Sequence, residues 1–98
     1  MNPQKVKREA VRTLCDLPNV GPATEQDLHL LRIRKPADLK GRDAWQLYQE
    51  LCRITKVKHD PCVIDVFLSI ISFVDGKPAR PWWKFTAQRK KFMAEMEK

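Results

Sequence analysis

The sequence predicts an all-α fold, a compact bundle of about five helices. Three observations point there. Apolar residues recur every three or four positions almost throughout the chain. The interruptions fall at Pro and Gly, the residues that most often punctuate helices. Residues 62–74 are nearly uncharged and place apolar side chains around almost the whole helical circumference, so that helix has to be wrapped by the others. A chain of 98 residues, 43% hydrophobic and 32% charged, suits one domain over residues 1–98, with residues 77–98 a Trp-containing basic C-terminal extension.

Taken in order, Val6, Ala10, Leu14 and Leu17 predict a first helix over residues 3–16, with Lys5, Lys7, Arg8 and Arg12 turned outward. The stretch Pro18-Asn19-Val20-Gly21-Pro22 breaks it, and Pro22 suits the first position of a second helix because its missing N–H would have had no intrahelical partner. That helix turns Leu28 and Leu31 inward and ends near Arg32, with His29 half-buried. Residues 35–41 allow one turn of connector, stopped by Gly41. A third helix over residues 42–55 carries Ala44, Leu47, Tyr48, Leu51 and Cys52 on one stripe. Asp60 and Pro61 then cap and open the apolar helix, which Asp75-Gly76-Lys77-Pro78 ends. Pro81-Trp82-Trp83 leads into a last amphipathic helix with Phe92, Met93 and Met96 on one side.

Compared with itself 39 positions on, the chain sets Pro22 on Pro61, Leu28 on Phe67 and Leu31 on Ile70, as two related helix pairs would. The apolar run contains Asp65 and is shorter than the roughly 20 residues of a membrane span. The N-terminus lacks the apolar stretch of a secretory signal, so no membrane association and a cytoplasmic location are expected.

With 19 Lys and Arg against 12 Asp and Glu, the net charge is +7, which suggests an anionic partner, nucleic acid first. The charge is uneven. Residues 16–31 hold Asp16, Glu25 and Asp27 with no Lys or Arg, whereas residues 32–58 hold eight basic residues against three acidic ones.

The strongest local signal is Leu17-Pro18-Asn19-Val20-Gly21-Pro22, which resembles the helix-hairpin-helix motif. A Gly in such a hairpin lets a phosphate approach the backbone, and free N–H groups at the helix start point outward beside a positive dipole end. Val20, Gly21, Ala23 and Thr24 are therefore the main-chain contact candidates, Pro22 having no N–H. Asn19 stands at the motif's first glycine, Ala23 where many DNA-binding members have Lys, and Glu25 where a small residue is common. A hairpin that only packs two helices is the alternative. The side-chain candidates are Arg32, Arg34, Lys35, Lys40 and Arg42, which could equally be a solvated cluster at a helix end.

Further contacts are expected from the tail, where Trp82, Trp83, Lys84, Arg89, Lys90 and Lys91 interleave rings for stacking with charges for phosphate. The alternative has Trp82 or Trp83 plugging one end of a small core, with Arg89 to Lys91 in water. Cys15, Cys52 and Cys62 are odd in number with no Cys-x-x-Cys pair, so buried reduced thiols are expected rather than a disulfide framework. The spacing of Cys52, His59 and Cys62 matches no zinc module, and neither metal nor cofactor is expected. No paired carboxylates, nucleophile–base spacing or Gly-rich phosphate loop argues for an enzyme.

Together, Leu17-Pro18-Asn19-Val20-Gly21-Pro22, Asp38-Leu39-Lys40-Gly41, Leu47-Tyr48-x2-Leu51-Cys52, His59-Asp60-Pro61-Cys62-Val63 and Pro81-Trp82-Trp83 resemble the pathogenicity-locus family. These are small bacterial helix-hairpin-helix proteins, some of them called mitomycin-resistance proteins. The resemblance spans roughly residues 14–91 and implies a SAM-domain-like bundle with one clear and one degenerate helix-hairpin-helix unit. Two functions follow as expectations. The first is a non-enzymatic, sequence-independent DNA-binding module using hairpin amides and nearby basic side chains. The alternative is a protein-interaction or self-association module without direct DNA contact.

Overall fold

The computed structural model describes residues 11–96. Among them, four α-helices follow one another: α1 (Pro22–Leu30), α2 (Ala44–Thr55), α3 (Cys62–Val74) and α4 (Thr86–Met96). Single 3-10 turns lie at Leu14–Asp16, Pro36–Leu39 and Trp82–Phe85, and no strand occurs among the described residues. The all-α expectation holds.

The helix expected over residues 3–16 is corrected where it can be followed; residues 3–10 lie outside the described residues. Thr13 is extended at φ −122 and ψ 169, and only the 14–16 turn follows. The reason is Asp16, whose carboxylate accepts the Arg12 N–H at 3.0 Å and the Thr13 N–H at 2.9 Å. A short acidic side chain thus takes donors that a helix would have given to carbonyls. Asp38 repeats the device, accepting from Arg34 N at 3.1 Å and Lys35 N at 3.3 Å.

Helix starts obey local chemistry. Pro22 is the first residue of α1. Asp43 caps α2 by accepting from the N–H groups of Trp45 at 2.8 Å and Gln46 at 3.4 Å. Asp60 accepts from Cys62 N at 2.8 Å, and Pro61 is already helical at φ −56, ψ −19. The ends are left-handed: Arg32 at φ 66 closes α1 and Lys56 at φ 58 closes α2. Gly41 and Gly76, at φ 76 and 106, occupy conformations that strain any side chain.

As its all-round apolar surface required, α3 is the hub. Against it pack α2, α4, the 36–39 turn and the 82–85 turn, while α1 rests on α2 and the 14–16 turn. Phe67 and Ile70 on α3 are wholly buried, as are Leu28, Ile33, Leu39, Leu47 and Leu51 from the surrounding elements. The positions matched at 39 residues agree in kind, since Leu28, Leu31, Phe67 and Ile70 are all core residues.

The amphipathic reading of α4 needs correction. Met93 packs on the core, but Phe92 remains 39% exposed, and the Met96 side chain lies outside the described residues. The helix is fastened by a polar latch instead. The carboxylate of Asp65, fully buried on α3, accepts from Thr86 Oγ1 at 2.7 Å and from Arg89 Nε at 2.9 Å. No helix among the described residues is long and apolar enough to cross a membrane.

Candidate nucleic-acid interface

The hairpin is tethered from below and open above. Leu14, Leu17, Pro18 and Val20 are buried and bind it to the core. Asn19 takes the left-handed turn at φ 68, a conformation Asn tolerates better than most residues. Its side-chain amide donates to Ser69 Oγ at 3.0 Å and to the Arg80 carbonyl at 2.7 Å. Asn at the motif's first glycine thus supplies both the turn and two tertiary ties.

Gly21 differs. Its φ of −104 is ordinary, and no atom lies within 4 Å of where a Cβ would stand. Nothing in the fold calls for glycine there; bare backbone simply faces outward. Ala23 and Thr24 sit in the first turn of α1, where N–H groups have no intrahelical carbonyl to reach. Val20 stands apart from the other amide candidates. Its side chain is buried and its N–H turns back toward the Leu17 carbonyl at 3.4 Å, leaving Gly21, Ala23 and Thr24 as the open amides.

Two of the three hairpin acids are engaged. Asp16 holds the chain before it, and the N–H groups of Thr13 and Arg12 keep its carboxyl below the usual range. Glu25 accepts from the Cys15 thiol at 2.7 Å. Cys15 is exposed, which corrects the expectation of a buried thiol, whereas Cys52 and Cys62 are half-buried. Its hydrogen bond to Glu25, followed by desolvation and the nearby negative charge, pushes the Cys15 thiol above its ordinary pKa. Less thiolate at a given pH means slower alkylation. At pH 8, Cys15 should react with iodoacetamide more slowly than a cysteine in an unstructured peptide, and Glu25→Gln should speed it. Peptide mapping by mass spectrometry reads both rates; equal rates would mean that the Cys15–Glu25 contact does not persist.

The basic candidates fall into two places. Arg32 follows the far end of α1, so about 13 Å of helix separates it from the hairpin amides. Arg34 and Lys35 lie just beyond, their backbones held by Asp38 and their side chains exposed. Lys40 is also exposed. Arg42 instead joins the tail, where it lines one cleft with Arg89 and Lys91. Sequence spacing alone did not bring these together.

In the tail, Trp83 is 57% exposed and Trp82 half-buried, the rings meeting edge to face at 5.7 Å. Trp83 therefore does not plug the core, and Trp82 is buried only in part. Lys84, Lys90 and Lys91 are exposed. Arg89 is committed to Asp65, its side chain only 13% exposed. His29, expected to be half-buried, is exposed.

The Cys52, His59 and Cys62 constellation fastens the α2–α3 loop. Tyr48 OH donates to the His59 carbonyl, and His59 N–H reaches Cys52 Sγ at 3.5 Å. Thr55 Oγ1 donates to the Leu51 carbonyl at 2.9 Å and meets His59 Nε2 at 2.9 Å, an arrangement that places the proton of the second contact on the ring nitrogen. Asp60 and partial burial raise the pKa of the Cys62 thiol. Among the described residues no group of three or more His, Cys, Asp or Glu converges as a metal site would require.

Comparison with known proteins gives a consistent result. The profile of the family described as Pathogenicity locus matches residues 7–91. A mitomycin resistance protein of Streptomyces lavendulae is 35% identical over 81 residues, covering 83% of this chain and 77% of its own. No solved structure matches.

Proposed function

The chain belongs to the pathogenicity-locus family, and from that premise we propose that it is a non-enzymatic, sequence-independent DNA-binding module of the helix-hairpin-helix type, its hairpin led by the 14–16 turn and followed by α1. The supporting observation is the bare backbone at Gly21. Its dihedral angles and surroundings admit any residue, yet glycine leaves the first-turn amides of Ala23 and Thr24 accessible to a phosphate. Exposed cations at Arg32, Arg34, Lys35 and Lys40, in the segment that follows the far end of α1, would then hold a neighbouring stretch of backbone. The relative's name concerns mitomycin resistance, and a resistance role for this chain, exerted on DNA in the bacterial cytoplasm, forms part of the same proposal.

Titration with duplex and single-stranded DNA at low and moderate salt tests this. Affinity should fall steeply as salt rises, because displaced counterions supply most of sequence-independent binding. Gly21→Glu should weaken binding by about tenfold, through one misplaced charge at a phosphate contact, with no loss of helicity. Absence of binding at low salt would overturn the module, and unchanged binding by Gly21→Glu would remove the hairpin as its contact.

The exposed Trp83 supports a second reading, a docking surface for another protein chain. Sedimentation at increasing concentration, with and without DNA, separates the two.

A further inference from the structure

Between the start of α2, one face of α3 and the side of α4 that carries Arg89 and Phe92 lies a cleft of about 610 Å³ that the hairpin does not use. Ile64, Leu68 and Ile71 form its apolar floor. Trp45 lines it beside Phe92, the rings set edge to face at 5.7 Å, and both remain partly open to solvent. Trp45 Nε1–H is shielded from solvent and has no acceptor among the described residues, an uncommon state for a donor in a folded protein.

The charges around this cleft are sorted by what already occupies them. Arg89 is paired with Asp65, and the Asp43 carboxylate occupies the first-turn amides of α2, so that helix start has no room for an anion. Glu95 is the remaining acid. Arg42 and Lys91 are exposed and form no ion pair among the described residues. An aromatic wall over an apolar floor, with two uncommitted cations beside it, complements a flat ring carrying an anionic group.

We propose that this cleft binds a planar aromatic phosphate of the nucleoside monophosphate class, its base against Trp45 and Phe92 and its phosphate held by Arg42 and Lys91. The volume lies within the range of roughly 300–1,000 Å³ usual for small-molecule sites. Base–aromatic stacking tolerates any base, so selectivity should rest on the phosphate rather than on base identity. The same chemistry is offered by a free nucleotide and by the 5′-phosphorylated end of a strand. The inference stands apart from the hairpin reading, because its residues and those of the hairpin do not overlap.

Calorimetric titration of the whole protein at low salt, with adenosine monophosphate, adenosine, inorganic phosphate and a short 5′-phosphorylated single-stranded oligonucleotide, tests it. The monophosphate should bind more tightly than adenosine or phosphate alone, and Arg42→Ala or Lys91→Ala should each raise its Kd about tenfold, the scale of one charge-assisted hydrogen bond. Both replaced side chains are exposed, so the fold should persist, which circular dichroism checks. Binding of the oligonucleotide without the free nucleotide, still weakened by these changes, would identify the strand end as the source. Failure of both to bind at millimolar concentration, or binding unaffected by the double change, would overturn the proposal. Gly21→Glu should leave nucleotide binding intact; loss of duplex binding alone in that variant bears on the hairpin and not on the cleft.

Discussion

Arg89→Ala should lower the stability of the domain by about 3–5 kcal/mol, because it leaves a buried carboxylate without its partner. Asp65 is completely buried on α3, and its two oxygens are divided between Arg89 Nε at 2.9 Å and Thr86 Oγ1 at 2.7 Å. Both donors come from α4, so the pair joins one helix to the hub, and a lost partner should free α4 as well as weaken the whole. A domain of this size has on the order of 5–15 kcal/mol in total. The loss is therefore about a fifth of the stability or more.

A buried pair is expensive to break and yet adds little over an apolar substitute, since both charges surrendered their hydration to form it. The double change Asp65→Leu with Arg89→Met should accordingly recover most of what Arg89→Ala loses. Urea unfolding of the three proteins measures this, and limited proteolysis reports release of α4. A cost below about 1 kcal/mol for Arg89→Ala, the range of surface pairs, would mean that water reaches Asp65 and that no latch exists.

Phe67→Ala should cost about 3–5 kcal/mol, the usual range for deleting a buried ring and leaving a cavity. Phe67 has no exposed surface and belongs to α3, on which two other helices and two 3-10 turns rest. Neighbours held from so many directions cannot collapse into the space without losing contacts elsewhere. For a domain under about 100 residues each kcal/mol moves Tm by about 4–8 °C, so the midpoint should fall by at least about 12 °C. Differential scanning calorimetry measures it. A fall of only a few degrees would show that the region around Phe67 repacks freely and that α3 is not the hub.

Helix starts and stops were legible in the residues because their causes act within one turn. Pro22, Asp60 and Gly41 each place a missing donor, a capping oxygen or a permissive φ within three or four residues of the boundary they set, whereas Asp43, which fell inside the helix expected over residues 42–55, caps α2 from just before its start. The buried character of α3 was equally readable, since an uninterrupted apolar surface has no stable position except inside. Over residues 11–16 the expected first helix gives way to extended chain and a 3-10 turn for a local reason as well. Asp16 competes for the backbone donors of Arg12 and Thr13, and that competition is invisible to apolar spacing.

The candidate sites divide in the same way. By itself the sequence determined an all-α fold and a Pro- and Gly-containing turn before the helix that Pro22 opens, and it raised the question of Asp65 by putting a charge in an apolar run. Only the tertiary structure decided that Arg89, 24 residues on, answers that charge, that Asn19 ties the hairpin to Ser69 fifty residues away, and that Arg42 lines one cleft with Lys91, Trp45 and Phe92. Those pairings follow from which faces of the helices meet, and helix orientation is the outcome of burying all the apolar stripes at once, a property of the whole chain that no local window contains.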